Sequence, residues 1–213
     1  MAEEAKIVAL ILHTHRQPER YNNIIHTWGS KIDYLFYSDG ENLNTLKVTD
    51  RDDYLSAEVK QVNVINNLPD HFMEYDWFLF CDNDTFVNTD LLFKQIKNFD
   101  ENKVYGEVIQ SWPKDTSLKY LSGGAGYLMS SKILKQIKGN LKVQGSGFSD
   151  VTMGLYYREN KIAIENSKFF RSQKPEFFGI KDVTKHITFH YITTYSDMLE
   201  LFNKCNDETK LVK

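Results

Sequence analysis

The residues richest in chemistry stand together at Asp82-Asn83-Asp84, directly after the apolar run Trp77-Phe78-Leu79-Phe80-Cys81. An unbroken apolar run suits a strand covered on both faces. In an open α/β sheet, ligands bind in the crevice beyond the carboxyl ends of the strands. Two carboxylates there, with no Lys or Arg beside them in sequence, repel each other unless a cation lies between them. Hard oxygen ligands suit Mn²⁺ or Mg²⁺, which bind one or two carboxylates and complete their shell with phosphates and water. The alternative is an Asx-rich turn that binds nothing. A calcium loop of the EF type fits poorly, because Phe86 takes a ligand position and no glycine makes the sharp turn.

The elements that must position these residues alternate along the chain. Ile7 to Leu12, Tyr34 to Tyr37 and Trp77 to Cys81 read as buried strands. Between the last two, Asp52 to Asn67 predicts a helix carrying Tyr54, Leu55, Val59, Val62 and Ile65. Thr89 reads as an N-cap before a stripe of Leu92, Ile96 and Phe99. Val104 to Gln110 and Gly126 to Met129 are further strands, and Ser130 caps a helix through Ile133, Leu134 and Ile137 that Gly139-Asn140 stops. Ser149 to Glu159 predicts a helix, Ile162 to Ile164 and Ile187 to Ile192 short strands, and Tyr195 to Lys204 a terminal helix before a frayed end over 206–213. This order predicts an α/β fold with a mostly parallel, doubly wound central sheet flanked by helices. The stretches 38–51, 111–122 and 140–149 are the candidate site loops.

Composition narrows the class. A chain of 213 residues is the size of one domain, spanning 1–213, and 41% apolar residues can build a core. The 14% aromatic content and four prolines exclude a disordered or collagen-like chain. A net charge of −3 counts against nucleic acid as a partner. Cys81 and Cys205 cannot form a disulfide framework and read as thiols of a reducing compartment. No apolar run approaches the roughly 18 residues of a membrane span, and the acidic start Met-Ala-Glu-Glu lacks the flank of a signal peptide. These features predict a cytoplasmic protein.

Phe80-Cys81-Asp82-Asn83-Asp84-Thr85-Phe86-Val87 resembles the D-x-D segment of the fringe-like and β1,3-galactosyltransferase-like glycosyltransferases. Further motifs match in order: Thr14, Arg20 and Thr27-Trp28 upstream; Lys60 before the acidic strand; Tyr120 to Ser130, with Gly-Gly-Ala-Gly-Tyr at 123–127; Ser149-Asp150-Val151-Thr152-Met153-Gly154; and His190. The resemblance spans roughly Ile7 to His190. It implies the GT-A fold, a UDP-sugar donor, Mn²⁺, a glycan or glycoprotein acceptor and inversion at the anomeric carbon. Two features depart from the family: the chain lacks an anchor and a cysteine framework, and Ser149 replaces an acidic residue. In compactness it is similar to the N-terminal glycosyltransferase domain of a multidomain chlorella-virus enzyme, which would make it part of a longer chain in the host cytoplasm.

The resemblance suggests roles for the matched motifs, and position in the predicted elements suggests them for Ser38 and Asp39, after the second strand, and Trp112, in a long loop. Asp84 is the main metal ligand, Asp82 shares the metal or bonds the ribose, Asn83 lies between them in the nucleotide site, and His190 completes the protein ligands. Thr14 and Arg20 would contact uracil and phosphate. Ser38 and Asp39 would reach the uridine, and Lys60 the phosphate or donor sugar. Gly123 and Gly124 let a sugar approach the backbone closely, Trp112 offers a stacking surface to an acceptor sugar, and Asp150 is the base. Each has a plainer reading: turn chemistry for Ser38 and Asp39, a solvated lysine, a glycine turn, a buried tryptophan, a packed histidine, a helix-start carboxylate. Two other functions stay open, a metal-dependent phosphohydrolase and a nucleotide- or sugar-binding module without turnover.

Overall fold

The computed structural model describes residues 5–40 and 44–206; the expected frayed end from 207 on, and 41–43 of the expected loop 38–51, lie outside the described residues. In chain order the elements are β1 (Ile7–Leu12), α1 (Pro18–Ile25), β2 (Asp33–Ser38), β3 (Thr45–Lys47), α2 (Ser56–Asn67), β4 (Trp77–Asp82), β5 (Phe86–Val87) and α3 (Thr89–Gln95). Then come β6 (Lys103–Gly106), β7 (Val108–Ile109), β8 (Tyr120–Leu121), β9 (Tyr127–Ser130), α4 (Ser131–Ile137), α5 (Ser149–Glu159), β10 (Ala163–Asn166), β11 (Thr188–Phe189) and α6 (Tyr195–Cys205). Seven strands form one sheet in the order β10-β6-β9-β4-β1-β2-β3. Only β9 runs antiparallel to its neighbours, so the sheet is mostly parallel, as expected.

The apolar runs have a direct physical cause. Along β1, Ile7, Ala9 and Ile11 enter one core while Val8 and Leu10 enter the other. Trp77, Leu79 and Cys81 of β4 alternate with Phe78 and Phe80 in the same way. One core is closed by Ile24 of α1, Leu92 of α3 and Met198 and Leu201 of α6. The other is closed by Val62 and Ile65 of α2, Ile133 and Ile137 of α4, and Met153 and Tyr157 of α5. A strand buried on both faces has no polar face to show, which is why period-two alternation is absent from its sequence.

Several expected boundaries move. The cap of α3 is Asn88, whose side chain accepts from Leu91 N at 3.1 Å, and Thr89 is the first helical residue. Helix α2 begins at Ser56, leaving Tyr54 and Leu55 outside it and exposed. The strand expected over Val104 to Gln110 divides into β6 in the large sheet and β7 paired with β8. The strand expected over Ile187 to Ile192 shortens to β11, because the chain turns at Tyr191, where φ is 62°. Ser130 caps α4 as expected, accepting from Ile133 N at 3.2 Å. Cys81 and Cys205 form no disulfide, and among the described residues no helix is long and apolar enough to cross a membrane.

Candidate active site

Register brings the chemistry to one edge. Leu12 of β1 pairs with both Tyr37 of β2 and Asp82 of β4, so three parallel strands end level. The residues just beyond them, Thr14, Ser38-Asp39 and Asn83-Asp84, therefore converge. On the other side of β4, Phe80 pairs with Tyr127, which sets Gly123 and Gly124 at the same edge. The short pair β5–β11 matches Phe86 with Phe189 and delivers His190 to the acidic turn. Thr85 Oγ1 donates to Gly124 O at 2.7 Å and Thr188 Oγ1 to Ala125 O at 2.5 Å, tying the glycine turn to both. Trp28, fully buried, donates Nε1–H to Thr85 O at 3.0 Å and so braces the turn from behind.

At the centre, His190 Nε2 lies 3.1 Å from Asp84 Oδ1 and 3.8 Å from Asp82 Oδ2. Asp82, Asp84 and His190 each offer a ligand atom, all within 4.8 Å of one another. Two carboxylate oxygens and one imidazole nitrogen converging from two chain segments fit a divalent cation of the Mn²⁺ or Mg²⁺ kind. The carboxylates are not without a cationic neighbour: Arg20, on α1, donates Nη1–H to Asn83 Oδ1 at 3.0 Å and to Asp84 Oδ2 at 3.1 Å. The sequence hides this because Arg20 is distant in the chain. Arg20 takes one oxygen of Asp84 and His190 faces the other, which fixes the carboxylate plane.

The charges perturb one another. Burial pushes Asp82 up to about 6, helped by Asp84 and opposed by His190. Burial works against charge on Asp84, but the His190 hydrogen bond and the charges of His190 and Arg20 prevail and hold it below the usual carboxylate range. Burial likewise opposes a charged His190; Asp84 and Asp82 outweigh it and raise the imidazole above its ordinary value.

Asp150 lies across the glycine turn, at the second residue of α5, where the N-cap residue Phe148 makes no side-chain cap bond. Its Oδ1 accepts from Val151 N at 2.8 Å, whereas among the described residues Oδ2 has only a long 3.5 Å contact with Gly123 N. Burial raises its pKa against those backbone bonds, the direction expected of a carboxylate suited to take a proton near neutral pH.

These groups line one cleft of about 790 Å³, with Thr14, Lys60, Gly123, Gly124, Phe148 and Tyr191 among its walls. The size suits a ligand as large as a nucleotide sugar. Ser38 and Asp39 sit behind the wall. Asp39 is buried and accepts from Lys60 Nζ at 2.6 Å, from Ser38 Oγ at 3.1 Å and from His15. Burial favours its neutral form, but Lys60 and His15 hold it well below the usual range. Lys60 is thus a buried ion-pair partner at the cleft base, also donating to His13 O at 3.2 Å. Thr14 Oγ1 donates to Asp52. Trp112 does not line the cleft; it lies edge-on to the lining residue Phe148 at 5.6 Å, and Tyr54 meets Phe148 edge-on at 6.0 Å.

Sequence reasoning missed four parts of this site. His13 bonds Asn83 Nδ2 through Nδ1 at 3.0 Å, and burial pushes it down to about 4. Asp52 pairs with Arg16. Tyr191 stacks on His190 with ring centres 3.8 Å apart. Glu58, on α2, is buried beneath the loop that leads to Asp150. None of the four was singled out in the sequence, where a lone charge or aromatic is ordinarily read as solvated or packed.

A mostly parallel central sheet flanked by helices, with an acidic turn at its carboxyl edge, has the GT-A architecture of known glycosyltransferases. Solved structures of that class superpose on it. One is the glycosyltransferase involved in glycosylation of the major capsid of PBCV-1, 15% identical with a TM-score of 0.57, covering 92% of this chain and 98% of that one. Another is the galactosyltransferase LgtC, solved with donor and acceptor sugar analogues, 10% identical with a TM-score of 0.51 over 93% and 96% of the two chains. The bifunctional glycosyltransferase WbbM matches at 13% identity and a TM-score of 0.50, over 99% of this chain and 52% of that one. Identities this low establish the fold. The family comes from the sequence profile: the chain belongs to the Fringe-like family, which matches residues 12–212. Family and fold together make it a glycosyltransferase.

Proposed function

We propose that this protein is a metal-dependent, inverting hexosyltransferase that moves a hexose or deoxyhexose from a UDP-sugar, of the UDP-glucose or UDP-rhamnose type, to a hydroxyl of a glycan or glycoprotein. The observation that carries the reading is a single cleft holding both the Asp82–Asp84–His190 donor set and, across Gly123-Gly124, the buried Asp150.

Asp82, Asp84 and His190 would hold Mn²⁺ or Mg²⁺, which when bound supplies positive charge for a departing diphosphate. Arg20 keeps Asp84 oriented through its second oxygen. Gly123 and Gly124 present backbone without side chains on the path between the donor set and Asp150. Asp150 Oδ2, lacking a strong hydrogen bond, is the atom that takes the acceptor hydroxyl's proton as that oxygen attacks the anomeric carbon. One base and one in-line displacement invert the anomeric centre. Phe148, in edge contact with Tyr54 and with Trp112, gives the acceptor side an aromatic wall on which a sugar ring can lie.

The test is UDP release from a panel of UDP-sugars, with and without Mn²⁺, in the presence of simple glycoside acceptors. Release that needs both cation and acceptor supports the reading. Phosphate release from simple esters without acceptor would favour a phosphohydrolase, and UDP binding with no donor consumed would mark a binding module.

A further inference from the structure

We propose that Glu58 is the positioning residue for Asp150, fixing the segment 144–147 and the start of α5 through its buried carboxylate. The inference rests on the reading of Asp150 as the base and adds the device that holds it in place.

Glu58 is 2% exposed. Its Oε1 accepts from Gln144 N at 2.6 Å, Gly145 N at 3.0 Å and Thr152 Oγ1 at 2.7 Å, and its Oε2 accepts from Gly147 N at 2.7 Å. Among the described residues no Lys, Arg or His lies within ion-pair distance of this carboxylate. A buried anion without a counter-ion is costly unless its lone pairs are filled by hydrogen-bond donors. Here three backbone amides and one hydroxyl fill them, and all four come from residues 144–152.

The loop is shaped to make this possible. Gly145 and Gly147 have φ of 73° and 76°, the left-handed conformation that turns successive N–H groups toward one anion. A Cβ on Gly147 would also meet Leu55 Cδ2 at 2.8 Å. Ser146 Oγ, 2.8 Å from Thr152 Oγ1, donates to Phe148 O at 2.8 Å, which joins the loop to the first turn of the helix. Because Phe148 supplies no cap, the placement of the α5 start depends on the loop, on Thr152 and hence on Glu58. Asp150 sits between these anchors, and among the described residues its carboxylate is held by Val151 N and the long contact to Gly123 N. A general base must come within hydrogen-bond reach of its proton, and a misplacement of 1 Å costs up to about 10²-fold in rate.

Glu58→Gln keeps the shape and replaces one oxygen with an NH₂. With the remaining oxygen toward Gln144, Gly145 and Thr152, that NH₂ opposes the N–H of Gly147, one residue before Phe148. The variant is expected to fold, to keep its KM for the UDP-sugar, and to lose roughly tenfold in kcat. Combined with Asp150→Asn, Glu58→Gln should change the rate by less than about twofold, because the base it positions is gone. Amide exchange at Gln144, Gly145 and Gly147 should accelerate in Glu58→Gln, a readout independent of turnover. Thr152→Val, which removes the hydroxyl's contacts with Glu58 and Ser146, serves as the milder second variant with the same non-additivity. Additive losses in the double variant, or exchange and kcat both unchanged, would overturn the proposal. Full transfer by Asp150→Asn would instead sink the reading of the base, with the exchange measurement still deciding whether Glu58 holds the loop.

Discussion

Gly124→Ala perturbs the donor set through packing alone. A Cβ at residue 124 would lie 2.0 Å from His190 Cε1 and 2.4 Å from both ring nitrogens, where ordinary contact begins at 3.4 Å. The imidazole must therefore withdraw by about 1.4 Å. It cannot do so by flexing a chain end, because Tyr191 stacks on one side of the ring and Asp84 lies 3.1 Å from Nε2. Metal–ligand distances tolerate only about 0.2 Å, so the displaced nitrogen leaves the set. Loss of a residue that merely supports a metal ligand already costs roughly 10–100-fold in metal affinity, so displacing the ligand itself should cost at least that, with about 1–3 kcal/mol of overpacking in addition. The neighbouring Gly123→Ala is the control: its Cβ would meet Asp150 Cβ and Ser149 Oγ at an ordinary 3.5 Å. Calorimetric titration with Mn²⁺ and UDP should show weak binding for Gly124→Ala and near-normal binding for Gly123→Ala. Equal affinity in Gly124→Ala and the unaltered protein would refute the placement of His190 as a ligand.

Asp150→Asn should fold and bind donor normally, since Asn Oδ1 can still accept from Val151 N, but lose transfer by about 10²-fold or more, with product formation as the readout. Cation-dependent UDP binding should weaken as pH falls: Asp82 protonates near 6 and His190 from above its ordinary value, and protonated groups do not ligate, so each proton to be displaced costs up to about tenfold per pH unit below its pKa. Titrations between pH 8 and pH 5 check the sign. Lys60→Met breaks a buried pair and leaves Asp39 facing only His15 and Ser38, so unfolding in urea should show a loss of about 3 kcal/mol, the low end of the range for such pairs.

The strands were legible where burial on both faces imposes an unbroken apolar run, as in Ile7–Leu12 and Trp77–Asp82, and α5 matches its expected bounds. Helix α1 was not legible: Gln17 gives it no side-chain cap, and it buries only Asn23 and Ile24. Asn88 and Thr89 are both good capping residues in adjacent positions, so residue type alone cannot choose between them. Val104 to Gln110 reads as one strand because its residues suit strand throughout; the change of partner after Gly106 is a tertiary fact. Within the site, Asp82, Asp84, Asp150 and His190 were visible as motifs that the fold brings into one cleft. The pairings were not. Arg20 was visible as part of the upstream motif but not as the residue that reaches Asp84 across 64 residues of chain, and Glu58, which reaches Gly147 across 89, was not singled out, since a charge on a helix is ordinarily read as solvated. The buried polar face of α2, with Glu58, Lys60 and Gln61, runs against that rule because a site is built on it.

The most direct test of the central claim is calorimetric titration of UDP into the protein with Mn²⁺ present and again in excess EDTA, repeated with Asp84→Ala. Cation-mediated donor binding predicts strong heat and saturation with Mn²⁺, a marked loss of UDP affinity in EDTA, and the same loss in Asp84→Ala whether or not Mn²⁺ is added. Equal UDP affinity with and without the cation, in a protein whose fold is intact, would contradict it.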